Sequence, residues 1–149
     1  MRLRVLAPIA ALFLVACSGE SVRPIAPPTA SIQKLAVGAD GTLALELRVQ
    51  SFGKKTAHFA TLDATLKLDG ADAGAIHAPI GFDIPGRSSE VIKASVAAAN
   101  TPARAKLSAA HELRYAIKGE IVTDKPSARY PFEYESTLSP VPGVPNEYR

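Results

Sequence analysis

The chain has 149 residues, a formal net charge of +3 and a hydrophobic fraction of 47%. This length allows one domain, and the lack of any basic stripe or run excludes the charge pattern of a nucleic-acid-binding protein. The single cysteine, Cys17, cannot form an internal disulfide, so packing alone must hold the domain together.

The first 16 residues have the features of a secretory signal. Arg2 and Arg4 make the start of the chain positive, and an apolar stretch follows as far as Ala16. This stretch is shorter than the roughly 20 residues that a transmembrane helix needs. We therefore predict that residues 1–16 are an export signal and take no part in the fold.

The sequence Leu-Val-Ala-Cys at positions 14–17 resembles the lipobox of bacterial lipoproteins. That resemblance implies that the thiol of Cys17 receives a diacylglycerol, that the chain is cut before it, and that membrane lipid is its first partner. The thiol suits this role because its thiolate is the nucleophile. Ser18 stands where Asp would retain an enterobacterial lipoprotein in the inner membrane. We therefore expect a lipid-anchored protein of the bacterial cell envelope, on the periplasmic face of the outer membrane.

Proline marks both ends of the mature chain. Residues 17–30 combine the cysteine with small polar residues and three prolines, which predicts a lipidated tether. Residues 140–149 are again rich in proline and are predicted to be a flexible tail. Without the export signal, 15 basic residues remain against 14 acidic ones, so the mature chain is close to neutral.

Between these ends, over residues 31–139, apolar and polar residues alternate in the way that predicts half-buried strands. The predicted strands are Ile32–Val37, Leu43–Val49, Leu62–Leu68, Ile76–Ile84, Val91–Val96, Leu113–Ile121 and Tyr130–Leu138. Pro79, inside the fourth of them, indicates an edge strand or a bulge. Thr101 and Pro102 have the pattern of a helix start and predict a short helix that extends to Ala110. Seven short strands with turns between them favour a sandwich.

No arrangement of reactive residues in the sequence predicts an enzyme. The three histidines, His58, His77 and His111, are far apart and lack the spacing of a metal motif, and we expect the ring of His77 to point outward. The chain has neither a Gly-x-Ser-x-Gly elbow nor a Gly-rich phosphate loop. We therefore expect no catalytic residue, no cofactor and no metal.

Three aromatic residues, Tyr130, Phe132 and Tyr134, share one face of the last predicted strand. The simpler interpretation is that all three belong to the core. A carbohydrate- or peptide-binding face is the alternative, and it requires that the rings be exposed.

Five stretches of the chain, taken in order, resemble a known domain family. They are the alternating strand at 43–49, Leu-Asp-Ala-Thr-Leu-Lys-Leu-Asp-Gly at 62–70, Phe-Asp-Ile-Pro-Gly-Arg-Ser-Ser at 82–89, Leu-Arg-Tyr-Ala-Ile-Lys-Gly-Glu-Ile at 113–121 and Pro-Phe-Glu-Tyr at 131–134. Their order and spacing are similar to those of the late embryogenesis abundant (LEA) type-2 domain, also called the water stress and hypersensitive response (WHy) domain. The likeness extends from Ile32 to Leu138. Many members carry Asn-Pro after the first long strand, where this chain has Gln-Ser-Phe-Gly.

The resemblance implies a fibronectin III- or immunoglobulin-like β-sandwich of about seven strands with one short helix. It also implies a non-enzymatic role in stress or desiccation tolerance. For an envelope lipoprotein we therefore expect protection in desiccation or envelope stress, with envelope proteins as possible clients, and the charge pattern predicts no nucleic-acid partner. The resemblance supplies no catalytic residue. The alternative is a periplasmic adaptor or assembly lipoprotein that binds an envelope protein through a sheet edge, and the strand with Pro79 is the suspected edge.

Overall fold

The computed structural model describes residues 26–97, 102–107 and 111–149. The predicted export signal, Cys17 and the predicted tether as far as residue 25 lie outside this part of the chain, as does Thr101. In the ranges that are described, no helix has the length and the apolar character that crossing a membrane requires.

The described residues form eight strands and one short helix. In chain order these are β1 (Thr29–Val37), β2 (Leu43–Gln50), β3 (Ala57–Leu68), β4 (Ala71–Ile84), β5 (Ser89–Val96), α1 (Pro102–Leu107), β6 (Leu113–Lys125), β7 (Ser127–Leu138) and β8 (Glu147–Tyr148). All seven predicted strands are present, and most are longer than the sequence pattern indicated. The helix begins at Pro102, as predicted, because its fixed φ suits the first helical position.

The strands form two antiparallel sheets of four. The first sheet has the order β5-β2-β1-β8 and the second has the order β4-β3-β6-β7. Together they form the predicted mostly-β sandwich. Alternation explains the packing: in β2, Leu43, Leu45, Leu47 and Val49 are buried, whereas the side chains between them are less so. One continuous core therefore fills the space between the sheets.

Pro79 lies in an outer strand, as its sequence context predicted. β4 is at the edge of the second sheet, and its pairing with β3 shifts register opposite this proline, between Phe59 and Thr61. Gly81 follows with a φ of +69°, which a side chain would disfavour. The proline is tolerated because an outer strand does not need every backbone N–H for pairing.

The C-terminal segment differs from the prediction of a flexible tail. Glu147–Tyr148 form β8 and pair with β1, and backbone hydrogen bonds join Ser139 and Arg149 in both directions, at 2.7 and 2.9 Å. Tyr148 is only 4% exposed, and its hydroxyl donates to the carbonyl oxygen of Leu107. Burial of the Tyr148 ring stabilises the ordered conformation of this segment, and the proline content gave no indication of that contact.

Strand direction divides the connections between the two ends of the sandwich. We call one of them the entry end, because β1 begins there: it comprises residues 26–28, the β2–β3 loop at 51–56, the β4–β5 turn at 85–88 and the β6–β7 turn at 124–127. The turns at 38–42 and 69–70, the described parts of the β5–β6 connection with α1, and the loop at 139–146 lie at the opposite end.

Candidate functional site

Two of the three histidines, His58 and His77, are each paired with a carboxylate. His58 Nδ1 donates to Asp124 Oδ1 at 2.6 Å, and His77 Nδ1 donates to Asp63 Oδ1, so each is paired with one carboxylate on a neighbouring strand. The His77 ring is exposed, as predicted. Over the described ranges no three His, Cys, Asp or Glu residues are grouped so that they could hold a metal ion. The two pairs are therefore surface contacts between strands.

The three aromatic residues of β7 have different environments. Phe132 is buried, Tyr130 is partly buried and Tyr134 is exposed. They share a face, but β7 is an outer strand of the second sheet. Phe132 therefore belongs to the core, as the simpler interpretation predicted. Tyr134 is exposed, and its ring packs against that of Tyr115, with 6.3 Å between the ring centroids.

Tyr115 connects the two sheets through a buried hydrogen bond. Its hydroxyl accepts a hydrogen bond from the backbone N–H of Ile32 in β1, at 3.1 Å. Burial raises the pKa of this tyrosine. Sequence patterning placed Tyr115 on the core face of β6 but carried no signal of its polar partner, which lies 83 residues away in the chain.

An apolar groove of about 410 Å³ lies at the entry end. It is lined by the incoming chain at Ala26 and Pro28, by the β2–β3 loop, by Phe59 at the start of β3, and by Pro126 and Tyr130 around the β6–β7 turn. This volume falls within the range of small-molecule sites, roughly 300–1,000 Å³. The sequence did not predict the groove because three stretches that are far apart in the chain form it.

Ser51 is a buried polar residue of this groove whose hydroxyl has no partner among the described residues. Its backbone N–H donates to the carbonyl oxygen of Ser88 at 2.9 Å, and the residue is 4% exposed. Its hydroxyl makes no hydrogen bond with any described residue. By contrast the hydroxyl of Thr123, also buried and in the groove, donates to the carbonyl oxygen of Pro126 at 2.6 Å. Buried hydroxyls generally have partners, so the Ser51 hydroxyl is an exception within the described part of the chain.

The connections around the groove are packed closely. A Cβ added to Gly86 would lie 2.5 Å from the carbonyl carbon of Lys54, so the β4–β5 turn rests against the backbone of the β2–β3 loop. The hydroxyl of Ser88 donates to the carbonyl oxygen of Pro85 at 2.8 Å within the same turn. The groove is thus formed by segments that support one another.

Basic residues surround the groove. The connections of the entry end carry four, Lys54, Lys55, Arg87 and Lys125, and one acidic residue, Asp124, which is paired with His58. All four basic side chains are exposed, and none forms an ion pair with another described residue. The described connections of the opposite end, at 38–42, 69–70, 102–107, 111–112 and 139–146, carry three acidic residues, Asp40, Asp69 and Glu112, and two basic residues, Arg104 and Lys106.

The fold and this surface define a class: a two-sheet antiparallel β-sandwich whose described part presents a basic end around an apolar groove. Comparison with solved structures shows which known proteins share this fold. The chain has the fold of AT1g01470 from Arabidopsis thaliana, a LEA-type protein with a WHy domain, with a TM-score of 0.51 and 9% sequence identity over 75% of this chain and 84% of that one. The likeness in fold that the sequence motifs predicted is confirmed.

A second solved structure, a protein from Archaeoglobus fulgidus, is similar with a TM-score of 0.42 and 13% identity, over 76% of this chain and 95% of that one. No protein-family model matches the chain, and no curated protein matches it.

Proposed function

We propose that the chain is a membrane-anchored, non-enzymatic lipoprotein whose LEA-type domain protects in desiccation or envelope stress. The observation that carries this proposal is the fold likeness to a LEA-type protein over three quarters of the chain. The lipobox-like sequence that ends at Cys17 supports the anchor. A lipid anchor holds the domain at high local concentration near its clients, which lets a weakly acting protectant work.

A drying assay tests the protective role. The chain from Ser18 onward contains every described strand and core residue, since the core extends from Ala30 to Tyr148. A dehydration-sensitive enzyme dried with it should retain more activity than with an equal mass of albumin. Leu66→Asp places a charge in the core and serves as the unfolded control. Equal recovery with the chain, the control variant and albumin would contradict protection by the folded domain.

Lipid labelling tests the anchor separately. When the full chain is expressed in a bacterium that is fed an alkyne-tagged fatty acid, we expect label on the protein and none on the Cys17→Ala variant. Label that persists in this variant, or a chain that is exported without label, contradicts the lipoprotein proposal and leaves the protective role to the drying assay.

The adaptor alternative gains support at a different edge from the suspected one. β4 is an outer strand, but Pro79 and the adjacent register shift interrupt its outward hydrogen-bonding groups. β5, the outer strand of the first sheet, has eight residues without proline, and its Val91 is exposed. If a partner adds a strand there, Val91→Pro should abolish its co-purification, whereas Val91→Thr, which keeps the backbone N–H and the branched side chain, should not.

A further inference from the structure

We propose that the entry end binds the surface of a bilayer that contains anionic phospholipid, with Lys54 and Lys55 at the lipid phosphates and the groove toward the acyl region. This deepens the proposed membrane anchoring but concerns the folded domain itself. Two independent features carry it: the composition of the groove, and the uneven distribution of charge between the two ends.

The groove matches the two-part chemistry of a phospholipid. Its apolar part consists of alanine, proline and aromatic side chains, while the exposed ammonium groups of Lys54 and Lys55 belong to the loop that lines one side. Ser51 adds a buried hydroxyl without a partner in the described chain. A phosphodiester would accept hydrogen bonds from all three, and hydrocarbon would cover the apolar part.

The basic residues of the entry end favour an anionic partner and an orientation with this end toward it. The connections of the entry end have four basic residues against one acidic, whereas the described connections of the opposite end have two basic residues against three acidic. A negative surface therefore attracts the entry end more strongly than the opposite end. Basic residues near an anionic bilayer contribute roughly 1 kcal/mol each, or about fivefold in affinity.

Chain length brings this end within reach of the membrane. Ala26, on the groove, is nine residues after Cys17, and a chain of that length extends at most about 30 Å. Phe52, in the β2–β3 loop, is 38% exposed and is placed to enter the interface. Aromatic residues are favoured at that depth.

The first test uses the chain from Ser18 without lipid and vesicles of phosphatidylcholine with increasing phosphatidylglycerol. Binding measured by co-sedimentation should rise with phosphatidylglycerol and fall with salt. Lys54→Gln with Lys55→Gln should weaken binding roughly 25-fold. The matched control, Lys67→Gln with Lys93→Gln, removes the same charge from exposed strand positions away from the groove and should change binding less than about threefold.

Ser51→Ala distinguishes a ligand role from a structural one. Because the hydroxyl has no partner in the described chain, its removal should leave thermal stability equal or higher. Binding to the anionic vesicles should nevertheless fall several-fold. If stability falls and binding does not, Ser51 is a structural residue and this part of the site is wrong.

Tryptophan fluorescence tests the orientation. The chain contains no tryptophan, so Phe52→Trp provides a single reporter at the entry end and Val144→Trp provides one at the opposite end, where Val144 is also exposed. Lipids brominated in the acyl chain should quench the reporter at 52 and not the one at 144. No binding to anionic vesicles, equal effects of the two lysine pairs, or quenching at 144 alone each overturns the proposal, whatever the drying and labelling experiments show.

Discussion

Replacing Tyr115 by Phe tests the hydrogen bond that connects the two sheets. β8 covers β1 only at Leu35 and Ala36, so the outer side of β1 at Ile32 has no strand partner, and the tyrosine hydroxyl accepts its N–H instead, at 3.1 Å. Ile32 and Tyr115 are both buried. Tyr115→Phe keeps the ring but leaves that buried N–H without a partner.

An unsatisfied buried polar group costs roughly 1–3 kcal/mol, so we expect Tyr115→Phe to lower the free energy of unfolding by about 2 kcal/mol. For a domain of this size that corresponds to roughly 6–8 °C in Tm. Circular dichroism with heat and with urea measures both quantities. Tyr134→Phe is the control, because Tyr134 is exposed and its hydroxyl makes no hydrogen bond among the described residues, and it should change stability by less than about 0.5 kcal/mol. Two variants of equal stability would refute the reasoning.

Three further predictions follow from the same packing. Gly119→Ala should cost roughly 1–3 kcal/mol or more in urea denaturation, because its Cβ would lie 2.0 Å from a backbone oxygen of β3, whereas Gly53→Ala, with ordinary contacts, should be nearly neutral. Burial raises the pKa of Tyr115, so stability should be constant below its unfolded pKa of about 10 and fall as pH rises through the folded value; Tyr115→Phe should show a shallower fall. Deletion of residues 147–149 removes the buried Tyr148 and should cost roughly 3–5 kcal/mol, and an unchanged urea midpoint would show that β8 adds nothing.

Alternation predicted the strands well because burial on one face imposes a period of two. β2 shows this directly, since its four apolar residues are all buried. The prediction of an edge strand or a bulge at Pro79 was also correct, because a residue without an N–H is restricted to such positions in any sheet. The short helix began where the Pro102 pattern placed it. In each case the signal lies within a few residues of the feature.

The C-terminal segment shows where local signals fail. Three prolines and a glycine in residues 140–149 suggested a tail, yet Tyr148 reaches the core and its hydroxyl donates to the carbonyl oxygen of Leu107, 41 residues earlier. Composition reports the conformation that a segment prefers in isolation, whereas contacts with β1 and Leu107 order this segment in the folded domain. The predicted lipidation at Cys17 remains a prediction, because it depends on processing and not on the fold.

By itself, the sequence determined the number, order and buried faces of the main strands and the order of motifs that the LEA-like fold shares, because each depends on residues close together in the chain. Only the tertiary structure decided the contact between Tyr115 and Ile32, the pairing of β8, and the entry end, where a groove, a hydroxyl without a partner in the described chain and four basic residues meet. These features join segments separated by tens of residues, and the distance between such segments is set by how two sheets pack, which no local pattern records.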